Sequence, residues 1–127
     1  MKNTQDHFMR IILTALLLIF ATQASSDYND GDKFRCKSQL AVKVFQKPHQ
    51  LSEMKPQEFT LTIAANSIKI YSKAHFSSTN MKVHYLANSS LAAYNEYSSF
   101  SLDLGKFHYA DAYSYGAALI TGTCEKL

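Results

Sequence analysis

The chain has few of the residues that build phosphate loops and metal clusters. Four glycines in 127 residues leave no glycine-rich loop, and no dinucleotide fingerprint, nucleophile elbow or zinc-ligand helix occurs. The only two cysteines, Cys36 and Cys124, have no further ligands at a spacing that would make a metal site. Both prolines, Pro48 and Pro56, fall within residues 47–57, the longest break in the strand pattern. Charge of one sign is scarce as well. The formal net charge is +3, and nothing resembles a groove-reading element, so nucleic acid is not an expected partner.

Long apolar runs are also missing. The longest, residues 11–20, is half the roughly 20 residues that a helix needs to cross a bilayer. Lys2 and Arg10 precede it, and Ala21, Thr22 and Ala24 follow it as small residues at a cleavage position. That arrangement reads as a secretory signal over residues 1–24, removed on export, with no stable membrane insertion. No cysteine follows the run closely, which excludes a lipid-anchored leader. Cleavage leaves 103 residues with 11 basic and 9 acidic side chains, enough for one domain. An exported chain, periplasmic or secreted, with two cysteines points to one disulfide, Cys36–Cys124.

What is present is alternation. Residues 25–33 are polar and turn-rich, a flexible lead-in to a domain over residues 34–127. Residues 34–46 then place Phe34, Cys36, Ser38, Leu40, Val42 and Val44 on one face, with Arg35, Lys37 and Lys43 on the other. This is the period of a half-buried strand. Residues 51–54 fit one helical turn. Residues 58–64 and 68–73 alternate again, and Ile63 opposite Ile68 sets Leu61 opposite Ile70 in a self-consistent hairpin. Further strands begin near Met81, Leu91 and Phe100. Gly105-Lys106 marks a hairpin that sets Leu104 opposite Phe107 and Leu102 opposite Tyr109. If Phe107 and Tyr109 face inward, unbroken alternation aims Cys124 outward. A turn at residues 113–116 restores its parity, with Gly122 easing close approach. The expected fold is all-β: an up-and-down antiparallel meander of about eight strands, closed into a barrel, with first and last strands joined by the disulfide. Side chains nearly fill a barrel of that size.

Chemistry has few carriers. His84 and His75 fall near each other on the polar face, but a metal site wants a third convergent ligand, and His108 lies strands away. No metal or cofactor is expected. Asp111 has inward parity, although a strand that ends at that point would make it the start of the turn. Catalysis therefore has no visible carrier, and a non-enzymatic module acting through its outer surface is expected. The rival is a small envelope hydrolase, which requires Asp111, His84 and His108 to converge.

Six of the eight tyrosines, Tyr85, Tyr94, Tyr97, Tyr109, Tyr113 and Tyr115, lie late in the chain. Basic residues line the outer faces of the early strands. Barrel closure sets the two sets side by side, giving a candidate binding surface of Arg35, Lys37, Lys69, Lys73, Lys82, Tyr109, Tyr113 and Tyr115. Cations beside aromatic rings suit an anionic envelope polymer or an acidic protein.

The near-N-terminal Phe34-x-Cys36, the meander and the C-terminal Cys124 resemble the layout of small periplasmic lysozyme-inhibitor barrels. The resemblance covers the disulfide frame and implies an inhibitor-type barrel. The Ser-Gly-x-x-Tyr type of loop used by that family has no counterpart here, so no site residue is implied. Thiol labelling of the unreduced, denatured protein should find no free sulfhydryl; quantitative labelling would refute both the disulfide and the closure it supports.

Overall fold

The computed structural model describes residues 27–46, 49–72 and 76–127. The alternating segments form nine antiparallel strands: β1 (Lys33–Phe45), β2 (Gln50–Glu53), β3 (Glu58–Ala64), β4 (Ser67–Tyr71), β5 (Asn80–Ala87), β6 (Ser90–Tyr94), β7 (Ser98–Asp103), β8 (Lys106–Tyr113) and β9 (Gly116–Lys126). Each strand from β3 to β9 pairs with the next, and β9 returns to β1, closing an eight-stranded barrel. The lower half of β1 pairs with β3, and its upper half with the short β2. Cys36 lies directly opposite Cys124 across the β1–β9 seam, and the two are disulfide-bonded. Residues 1–26, with the expected signal, lie outside the described residues.

Hydrophobic burial fixes which face turns inward. Phe34, Leu61, Ile63, Ile68, Met81, Leu91, Phe100, Leu102, Phe107, Tyr109 and Ile120 fill the interior. Phe107 meets Phe59 edge-on at 5.2 Å and stacks on Phe100 at 5.7 Å. The hairpin pairing of Ile63 with Ile68 and Leu61 with Ile70 is as the pattern predicts. So is the turn after Tyr113, which pairs odd-numbered β8 residues with even-numbered β9 residues and brings Cys124 to the seam. Gly122 sits where the backbone of β1 comes closest. A Cβ there would collide with the Lys37 carbonyl oxygen and the Phe107 ring.

Four local expectations are corrected. Alternation in β1 does not run through to Val44. The register shifts between Ser38 and Leu40, so Ala41 turns inward while Leu40 and Val44 are exposed. The extra residue bends β1 as it changes partner from β3 to β2, as bulges do in barrels. Ser38 secures the bend, its hydroxyl accepting from the Gln57 backbone N–H at 2.8 Å. Residues 51–54 form no helical turn: Leu51 pairs with Val44 in β2, and Met54 N–H donates to the Ala41 carbonyl. One turn of helix is a costly nucleus, whereas a ladder on β1 is already in place.

The β7–β8 hairpin is displaced. Its two turn residues are Leu104 and Gly105, with φ of 48° and 78°, and Leu102 lies opposite Phe107 and Phe100 opposite Tyr109. Two positive φ angles match the primed turn that suits a twisted hairpin, and glycine at the second site lowers its cost. Lys106 instead begins β8 opposite Asp103. Finally, the described part of the lead-in, residues 27–32, is docked against the lower end. Tyr28 N–H donates to the Asn88 carbonyl at 2.7 Å, and Gly105 N–H donates to the Tyr28 hydroxyl at 3.0 Å. Tyr28 packs edge-on against Phe34 at 5.0 Å, and Asp32 pairs with Lys126 at 3.0 Å.

Leu104 is 67% exposed in a left-handed conformation that disfavours branched side chains. Leu104→Asn should therefore stabilise the fold by about 1 kcal/mol, read as a rise of a few degrees in a circular-dichroism melt. An unchanged or lower melting temperature would show that the leucine contributes packing instead.

Candidate functional site

Along β8 the inward side chains change character as the strand climbs: Phe107, then Tyr109, then Asp111. Asp111 does not begin a turn, as one reading of the sequence had it. It lies within β8 and is only 7% exposed. The strand continues to Tyr113 because β9 offers a full set of partners beyond Asp111. The upper end of the barrel, which carries the β1–β2, β6–β7 and β8–β9 connections, thus has a polar mouth over an apolar floor.

Residues 76–79, leading into β5, lie across this mouth. Phe76 reaches inward, its ring 4.7 Å from Phe59 and 4.8 Å from Tyr109, and carries Ser77 and Ser78 with it. The Ser77 hydroxyl donates to Asp111 Oδ2 at 2.6 Å, and the Tyr109 hydroxyl donates to the same oxygen at 2.8 Å. Ser78 N–H donates to the Tyr109 oxygen at 3.3 Å, and the Ser98 hydroxyl donates to Ser78 Oγ at 2.8 Å. Tyr113 donates to Ser77 Oγ at 2.5 Å. A buried carboxylate is costly unless donors surround it, and these hydroxyls supply them. Burial pushes the Tyr109 phenol above its ordinary value of 10.0, and its bond to Asp111 adds to the rise against the opposing bonds from Ser77, Ser98 and Ser78.

Above the network stand three tyrosine rings in series. Tyr97 and Tyr113 have ring centroids 5.4 Å apart, and Tyr113 stacks with Tyr115 at 5.7 Å with planes 11° apart. Tyr97 is held by Asn95, whose side-chain oxygen accepts from the N–H groups of Tyr97 and Ser98. Tyr115 is held by its carbonyl, which accepts from Gln46 N–H at the end of β1. Two clefts flank the rings. One, of about 100 Å³, is lined by Lys43, Ser77, Asp111, Tyr113 and Tyr115. The other, a shallow groove of about 350 Å³, is lined by Tyr94, Tyr97, Ser99, Ala110, Asp111 and Ala112. Asp111 borders both.

The candidate surface read from the sequence separates into parts. Tyr109 is fully buried and belongs to the network beneath the mouth, because inward parity puts its ring in the core. Tyr113 and Tyr115 join the rim, together with Tyr97. Arg35 and Lys37 lie on the lower half of β1, opposite Glu125 and Glu58, so that face carries both signs. Tyr115 stands beyond the upper end of β1, about 30 Å along the strand from these cations at 3.3 Å per residue. Lys69 and Lys82 are exposed on β4 and β5, where Lys82 pairs across to Tyr94. Lys73 and His75 lie outside the described residues.

The trio that a hydrolase reading requires does not converge. His84 and His108 line one shallow outer depression, whereas Asp111 faces the interior. Among the described residues no group of three or more His, Cys, Asp or Glu side chains could hold a metal ion.

Ser77 could not be found from the sequence, since it enters from a connection and not from a strand. Asp111 is legible there, because 107-109-111 keeps inward alternation, and the structure buries it as that parity implies. No protein-family model, curated protein or solved structure matches the chain, so its function rests on this geometry.

Tyr109 is more acidic in the unfolded chain than in the fold, so its contribution to stability is complete below pH 10 and is lost as pH rises through the raised folded value. Denaturation midpoints should fall above pH 10, and Tyr109→Phe should flatten that fall. At neutral pH the substitution should cost about 1–3 kcal/mol, by removing a donor from buried Asp111. An unaltered alkaline limb in the variant would assign the pH dependence to other groups.

Proposed function

We propose that the protein is an exported, non-enzymatic binding module that recognises its partner through the tyrosine rim at the upper end of the barrel. The observation that carries this reading is the series Tyr97, Tyr113 and Tyr115, with the two end rings exposed and the half-buried Tyr113 between them, flanked by two clefts. Tyrosine supplies rigid amphipathic contact area at small entropic cost. With the interior occupied by its own side chains, recognition falls to the surface. Export, to the periplasm or beyond, is supported by the signal-like residues 1–24 and by a disulfide compatible with an oxidising compartment.

A second reading places an anionic polymer or acidic protein on the outer face of β1, β3 and β4. It is favoured by an open groove bordered by Arg35, Thr60 and Tyr71, with Lys69 exposed on the neighbouring strand β4. Glu58 lines the same groove and weakens the attraction.

Affinity capture from envelope extract separates the two. Material retained by the natural chain should be lost from a Tyr97→Ala, Tyr115→Ala double variant, kept by an Arg35→Glu, Lys69→Glu variant, and insensitive to salt. Loss in the charge-reversed protein and at high salt, with retention by the tyrosine variant, would transfer recognition to the basic side.

A further inference from the structure

The rim also limits the chemistry of what it can hold. We propose, resting on the reading above, that the Tyr97–Tyr113–Tyr115 rim with Asp111 beneath it is a binding site for an uncharged pyranose chain. Three features of the site point the same way.

The first is the rings. Tyr97 and Tyr115 are 52% and 67% exposed at the two ends of the series, so an extended ligand that spans the rim can meet an aromatic surface at each end. A pyranose ring has one such complement, the flat patch of C–H groups on its face. Those groups lie against the electron-rich face of an aromatic ring, while the hydroxyls project sideways.

The second is the carboxylate. An ionised carboxylate is an acceptor only, with roughly four acceptor positions. Ser77 and Tyr109 occupy two of them, both on Oδ2. Asp111 is among the residues lining the cleft on each side of the rings, and at 7% exposure its remaining capacity is open only to a hydroxyl donor that reaches down into the mouth. The shape is fixed in advance: Ser77 is bonded to both Asp111 and Tyr113, which ties the polar floor to the aromatic wall. A pre-organised site loses less entropy when a flexible chain is bound.

The third is charge. Lys43 is the one cation among the residues lining the two clefts, against Asp111 and Glu96. A polyanion would meet more repulsion than attraction, whereas a neutral, hydroxyl-rich chain meets neither. The larger cleft is open and shallow, with alanine and serine among its lining residues, and the smaller, half-enclosed one holds only about 100 Å³ between Lys43, Val44 and Tyr115. The shape of the larger cleft suits a strand of sugar units better than an apolar anchor residue of a protein partner, which needs a deep pocket.

The test is calorimetric titration of the disulfide-intact protein with chitohexaose, cellohexaose and maltohexaose at millimolar concentration. At least one should bind, with an affinity unchanged by salt. Tyr97→Ala and Tyr115→Ala, both at exposed positions, should each weaken it about tenfold without lowering the melting temperature. Lys69→Glu should have no effect. Chitohexaose carries N-acetylated units like those of envelope polymers, and the other two carry plain glucose units, so the preferred probe identifies the source. No binding to any of the three, or equal binding by the tyrosine variants, overturns the sugar assignment. Tyrosine-dependent capture of a protein would then leave the binding-module reading standing; capture indifferent to the tyrosines would remove both.

Discussion

The seam between β1 and β9 is the contact on which the rest of the barrel depends. The two strands are far apart in sequence, their cysteines 88 residues apart, so closing the seam carries the largest loop entropy in the molecule. The disulfide removes much of that cost from the unfolded chain, by roughly 4–5 kcal/mol in the chain-entropy view. The seam also needs room. Gly122 admits the β1 backbone, and the bulge after Ser38 lets β1 bend from one neighbour to the next. A domain of this size has little core to spare, and a closed sheet leaves few unpaired edges.

Closure has a consequence for where chemistry can reside. Once eight strands wrap around Phe34, Phe100, Phe107 and their neighbours, the interior is occupied. Polar function moves to the ends. The lower end is sealed by the docked segment 27–32, through Tyr28 and the Asp32–Lys126 pair. The upper end is crossed instead by a segment whose one large apolar residue, Phe76, is its anchor. Beside that anchor, Ser77 and Ser78 meet Tyr109, Asp111 and Ser98, and the mouth becomes a hydrogen-bonded polar layer. The tyrosine rim stands on that layer.

The same closure explains why the charged face read from alternation does not merge with the tyrosines. Strand adjacency is not proximity: β1 and β9 are neighbours over their whole length, yet Arg35 and Tyr115 occupy opposite ends of the pair. Position along a strand matters as much as position around the barrel. Glu58 and Glu125, opposite Lys37 and Arg35, further divide the positive potential into a surface of mixed sign.

Residue alternation by itself determined that the chain is all-β, that Ile63 faces Ile68, and that the turn after Tyr113 corrects the parity of Cys124. Those properties follow from a period of two and from nearest-neighbour hairpins, both local. The expectation that Cys36 and Cys124 pair comes instead from their being the only two cysteines behind a signal-like leader. Tertiary structure decided what depends on contacts distant in sequence. The bulge in β1, which turns Leu40 and Val44 outward, arises because that strand must serve three partners. Leu104 enters a left-handed turn because the register that buries Leu102 opposite Phe107 leaves it no other place. Asp111 stays buried because Ser77, 34 residues earlier, comes back across the mouth to donate to it. Neither the bulge nor that hydrogen bond has a local pattern, since each balances a backbone or desolvation cost against partners that only closure of the barrel supplies.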